Sequence, residues 1–157
     1  MNRGRSRVAV VLGTWFGCGL VPAAPGTMGT LGAIPLYWLA VREGGQTAVA
    51  LVAILVTVVG VWAASVVQRD LRVEDPQLVV IDEVAGMLFT MIPVVGFSWR
   101  ATAAGFAVFR VLDVWKPWPI RRFEALPSGW GIVLDDVAAG ILGAGAMLAL
   151  RKVGAVP

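Results

Sequence analysis

The chain has 157 residues, 58% hydrophobic and only 15% charged, with a mean hydropathy of +0.80 and a net charge of +3. That apolar excess argues against an ordinary soluble domain and for a single integral membrane domain over residues 1–157. Histidine is absent and Cys18 is the lone cysteine, which removes a serine triad, a histidine nucleophile and any internal disulfide; the scattered basic residues form no stripe suited to nucleic acid.

In chain order, Arg3, Arg5 and Arg7 precede the apolar stretch Val8 to Leu12. Gly13 cuts that stretch below signal-peptide length, so the arginines are read as a cytoplasmic flag. No charge follows until Arg42, yet Pro22, Pro25, Gly26, Gly29 and Gly32 rule out one continuous helix. The expectation is an interfacial or re-entrant first part, then a glycine-rich loop with Thr30 as helix cap, then an apolar helix beginning over Leu31 to Val41. Gly44 to Gln68 is long enough to cross hydrocarbon, while Ala85 to Trp99, Ala101 to Leu112 and Val137 to Leu150 predict shorter apolar helices. No sustained strand alternation appears, so the fold class is all-α: a small helical integral membrane bundle with short, Gly/Pro-interrupted helices. If chain direction alternates, Asp82, Glu83, Asp113, Asp135 and Asp136 reach the side of the amino terminus.

Two similar acidic phrases, IDEVAG (Ile81 to Gly86) and LDDVAAG (Leu134 to Gly140), place paired carboxylates ahead of these predicted apolar helices. Capping of a helix start explains one acid per phrase but not two, and unpaired carboxylates are costly in an apolar setting. Five acids, Asp82, Glu83, Asp113, Asp135 and Asp136, thus form a candidate metal site. Hard oxygen donors without histidine favour magnesium or manganese, and with them phosphate chemistry. Arg110, Asp113 and Lys116 share a helical face, with an Arg110–Asp113 salt bridge as the plain alternative. Lys116, Arg121 and Arg122 beside Trp115 and Trp118 make a basic, aromatic interfacial segment suited to an anionic headgroup. The loop Ala24 to Thr30 offers hydroxyls and backbone to a phosphate but has no P-loop lysine.

Four stretches, GCGLVPAAPGTMGTLGAIP (Gly17 to Pro35), DPQLVVIDEVAGM (Asp75 to Met87), FRVLDVWKPWPI (Phe109 to Ile120) and GIVLDDVAAGI (Gly131 to Ile141), together resemble the phosphatidylglycerophosphatase A family. The resemblance implies a multi-pass enzyme of the bacterial inner membrane, its site facing the cytoplasm, that removes the terminal phosphate of phosphatidylglycerophosphate and requires magnesium. It points to Asp82 and Glu83, Asp113 and Lys116, and Asp135 and Asp136.

The expected mechanism has one or two Mg2+ ions held by Asp82, Glu83, Asp113, Asp135 and Asp136. Catalytic roles fall to Asp82, Glu83, Asp113 and Asp136, with Asp136 or Glu83 as base and attack by Asp113 itself as the covalent alternative. Lys116, Arg110, Arg121, Thr27 and Thr30 are the expected substrate contacts. The partners are then the membrane and its phospholipid substrate, with no nucleic acid. A small transporter with an acid-lined cation site is the rival reading, and a lipid-binding scaffold without turnover is a third.

Overall fold

The computed structural model describes residues 3–157, with side chains from Ser6 onward, so the side chains of Arg3 and Arg5 lie outside the described residues. It is all helical there: α1 (Arg3–Gly13), α2 (Pro25–Leu71), α3 (Ile81–Met91), α4 (Trp99–Trp115) and α5 (Gly129–Lys152), with short 3₁₀ turns at Cys18–Leu20 and Ile120–Arg122. Two helices, α2 and α5, are long and apolar enough to cross a membrane.

α1 is a short spur. Its Ser6 hydroxyl donates to Asp70 at 2.6 Å, and its Gly13 carbonyl accepts from Val80 N–H at 2.8 Å, just ahead of α3. Trp15 and Phe16 then take positive φ, and the Trp15 indole donates to the Gly32 carbonyl as the chain doubles back toward Pro25. The first part therefore packs against the end of α2 and the start of α3 and then turns back toward Pro25.

Helix α2 starts at Pro25, with Ala24 left-handed before it and the proline ring preset for a first helical turn. This corrects Thr30 as a cap: it lies inside the helix, fully buried, and its hydroxyl donates to the Gly26 carbonyl at 2.8 Å. At Gly44 and Gly45 the backbone leaves helical values, Gly45 reaching φ 61, ψ −152, a region glycine tolerates. The chain reverses there, making two antiparallel limbs, residues 25–43 and 46–71.

α3 returns down the bundle and stops ahead of Pro93, so the helix expected over Ala85 to Trp99 is earlier and shorter. The Ser98 side chain accepts from Ala101 N–H to open α4. α5 begins at Gly129, where the Ser65 hydroxyl from α2 accepts the Gly129 N–H at 3.1 Å. Asp135 and Asp136 therefore sit two turns inside α5, not ahead of a helix, and neither Asp82 nor Asp135 is an N-cap: those positions are Val80 and Ser128. Tyr37, Phe109, Met87, Leu88, Met91 and Met147 fill a core shared by α2 to α5.

Candidate active site

The starts of α2, α3 and α5 and the end of α4 meet at one end of the bundle. Oxygens of Asp82 and Glu83, in the first turn of α3, and Asp136 of α5 all lie within 4.8 Å of one another. Asp82 and Asp136 are buried, and Glu83 Oε2 is a buried atom without a hydrogen-bond partner. Asp113 lies close enough to Asp136 and to Glu83 for its charge to act on theirs. Like charges this crowded and this desolvated repel strongly, so the cluster suits a cation that its free oxygens can bind.

The two phrases hold their acids alike: Glu83 N–H donates to Asp82 Oδ1 at 3.1 Å, and Asp136 N–H donates to Asp135 Oδ1 at 2.9 Å. Asp135 differs in its second oxygen. Its Oδ2 accepts from Lys116 Nζ at 2.6 Å, and the same ammonium reaches Glu124 Oε1 at 2.9 Å. Asp135 is thus a partner of Lys116 and lies outside the three-carboxylate group. Burial works against the charged Lys116, but its hydrogen bonds to Asp135 and Glu124 outweigh it and raise the ammonium pKa above the usual lysine range.

Arg110 Nη1 pairs with Asp113 Oδ2 at 2.5 Å, the salt bridge that their spacing offered as the plain alternative. On the facing side, Gly26 in the first turn of α2 lies against Glu83 Oε1 and Arg110 Nη1; an ideal Cβ there would collide with the carboxylate. The segment expected as a glycine-rich loop is instead helical from Pro25, the first turns of α2, and it borders the acids there, with half-buried Thr27 beside Gly26. Thr30 has its hydroxyl committed inside the helix. Arg121 is exposed on the 3₁₀ turn, while Arg122 stacks 5.4 Å from the centre of the Trp118 ring; Trp115 and Trp118 are exposed. Sequence reasoning missed Glu124, whose approach to Lys116 spans a loop, and missed Gly26 as the residue that lets α2 close on Glu83.

The profile of the phosphatidylglycerophosphatase A family matches residues 11–151, nearly the whole chain and every acid above. The chain belongs to that family. It is 42% identical over 136 residues to phosphatidylglycerophosphatase A of Escherichia coli (strain K12), covering 86% of this chain and 78% of the relative. The Haemophilus influenzae phosphatidylglycerophosphatase A is 35% identical over 132 residues, 83% of this chain and 81% of that protein. A Bacteroides thetaiotaomicron protein, described provisionally as a phosphatidylinositol-3-phosphatase, is 38% identical over 143 residues, 87% of this chain and 89% of its own length. No solved structure gives a significant match. Within the phosphatidylglycerophosphatase A family region, the acid phrases occupy α3 and α5, and the arginine–aspartate–lysine face occupies the end of α4.

Proposed function

We propose that this chain is a phosphatidylglycerophosphatase, releasing the terminal phosphate of phosphatidylglycerophosphate to leave phosphatidylglycerol. The observation that carries the reading is the meeting of Asp82, Glu83 and Asp136 within 4.8 Å inside the family-matched region. Their hard oxygens, including the partnerless Glu83 Oε2, fit Mg2+. Bound there, magnesium supplies Lewis acidity toward a phosphoryl oxygen and makes a water more acidic.

The side chains divide the remaining work. Asp82, Glu83 and Asp136 would hold the cation through one oxygen each, with Asp113 beside them, and the Glu83 oxygen not bound to it would take the proton of the attacking water. Arg110 and Lys116 offset phosphate charge, the Thr27 hydroxyl and nearby backbone of α2 orient it, and Arg121 with the exposed tryptophans Trp115 and Trp118 engages the lipid headgroup region. Asp135 keeps Lys116 charged and pointed at the site.

The chain is read as multi-pass in a bacterial cytoplasmic membrane, with the acid end toward the cytoplasm. Arg7, Arg69, Arg72, Arg110, Lys116, Arg121 and Arg122 cluster at that end, against Arg42, Arg100, Arg151 and Lys152 at the other. The cluster lies within two turns of the starts of α3 and α5, at the mouth of the bundle, which favours an enzyme over a transporter with a mid-membrane site.

The test is phosphate release by purified protein in detergent from phosphatidylglycerophosphate, phosphatidate, phosphatidylinositol 3-phosphate and soluble glycerol phosphate, each with and without Mg2+. Magnesium-dependent release fastest from phosphatidylglycerophosphate is expected. Absence of release from that lipid, or ion-driven uptake into proteoliposomes in its place, overturns the reading.

A further inference from the structure

Beside Lys116 the acid end opens into a cavity of about 390 Å³, walled by Gln68 of α2, Glu74 and Asp75 of the loop before α3, Glu124 of the loop before α5, and Asp135. We propose that this cavity seats the hydroxyl-bearing alcohol part of the phosphomonoester and so selects which head group is cleaved; the inference rests on the phosphatase reading above.

Four of the walls are carboxylates, which only accept hydrogen bonds when ionised. Gln68 adds an amide: its Nε2 donates one N–H to the Glu74 carbonyl at 2.6 Å, leaving the side-chain oxygen as a further acceptor beside one remaining N–H. The one cation, Lys116, is held between Asp135 and Glu124. A lining rich in acceptors and poor in donors complements hydroxyl groups, which donate to it.

A metal ion fits less well. Binding a bare divalent ion needs several oxygens converging at short range. Among the described residues that convergence occurs at Asp82, Glu83 and Asp136, not around this cavity. Two of the cavity's acids, Glu124 and Asp135, are already neutralised by the shared Lys116 ammonium.

Location links the cavity to the reaction. Asp135 and Lys116 are walls of it, and Asp135 is the chain neighbour of Asp136 in the carboxylate cluster, its Oδ1 accepting the Asp136 N–H. In the proposed arrangement a phosphate held at the cluster extends its alcohol past Asp135 toward the cavity. An ester whose alcohol carries a free hydroxyl gains contacts there that phosphatidate, which has no such group, cannot make.

The experiment compares kcat/KM for phosphatidylglycerophosphate and for phosphatidate in the same micelles, for the wild type, Gln68→Ala and Asp75→Ala, two variants on separate elements. The expected result is a fall of roughly tenfold in the preference for phosphatidylglycerophosphate in each variant, expressed mainly in KM, with phosphatidate cleavage serving as the check of a folded enzyme. A preference within about twofold of wild type in both variants overturns the proposal, whether activity on the two lipids is kept or lost together. A shifted Mg2+ requirement with unchanged preference overturns it in favour of a cation site. Failure of the wild type to cleave phosphatidylglycerophosphate is a separate result and sinks the phosphatase reading itself.

Discussion

Gly86 of α3 and Gly140 of α5 pack backbone to backbone, and each lies four residues, one helical turn, beyond an acid of the cluster, Asp82 and Asp136 respectively. α3 and α5 start at the same end of the bundle and run parallel, so this contact places the two acids side by side. The small residues of LDDVAAG and IDEVAG are thus the means by which the carboxylates meet.

Gly140→Ala should be damaging, because its Cβ would run into the Gly86 carbonyl and the Phe89 side chain. Overpacking of this kind costs roughly 1–3 kcal/mol, and spreading the helices also separates the acids. Lower thermal stability together with lower kcat is expected. Gly145→Ala, on the same helix with open space at its Cβ, is the control and should be neutral or slightly stabilising in a melting curve.

Asp82→Asn, Glu83→Gln and Asp136→Asn each remove a negative oxygen from the cluster at nearly constant volume. Phosphate release should drop by about two orders of magnitude or more in each. Because buried repulsion is relieved, the folded protein without metal should be as stable as wild type or more so. Near wild-type turnover in all three variants would remove the cluster from the mechanism.

Chelation offers a readout that does not depend on turnover. Stripping with EDTA should lower the melting temperature, and added Mg2+ should restore it by mass action on the folded state. In Asp136→Asn the Mg2+-induced rise should shrink or vanish.

Lys116→Met leaves Asp135, only 6% exposed at its side chain, without its cation. Removing one partner of a buried pair typically costs about 3–5 kcal/mol, so the single variant should be strongly destabilised. Lys116→Met combined with Asp135→Asn should recover most of that stability in a double-mutant cycle without recovering phosphate release. Recovery of both would make the lysine purely structural.

The fold class was legible because hydropathy and Pro/Gly punctuation are local signals, and counting reversals brought Asp82, Glu83, Asp113, Asp135 and Asp136 to one end, where Asp82, Glu83 and Asp136 form the close group and Asp135 turns to Lys116. Boundaries were less legible. α5 starts at Gly129, eight residues before the predicted Val137, because tertiary contacts carry what local propensity opposes: Ser65 caps it from α2, and Lys116 neutralises Asp135 inside it. The reach of Glu124 to Lys116 crosses the irregular stretch after α4, and the contact of Gly26 with Glu83 joins residues far apart in sequence; no periodicity encodes either.

The Gly44–Gly45 reversal has a consequence for how the molecule can be handled. It turns the chain in two residues, whereas residues 72–80 and 116–128 wander over the opposite end. The longer connections therefore gather at one end, and the other carries the Gly44–Gly45 turn, the connection 92–98 and the carboxyl-terminal tail. A short epitope spliced between those two glycines would extend outward with little to disturb, giving a marker for which compartment the blunt face sees.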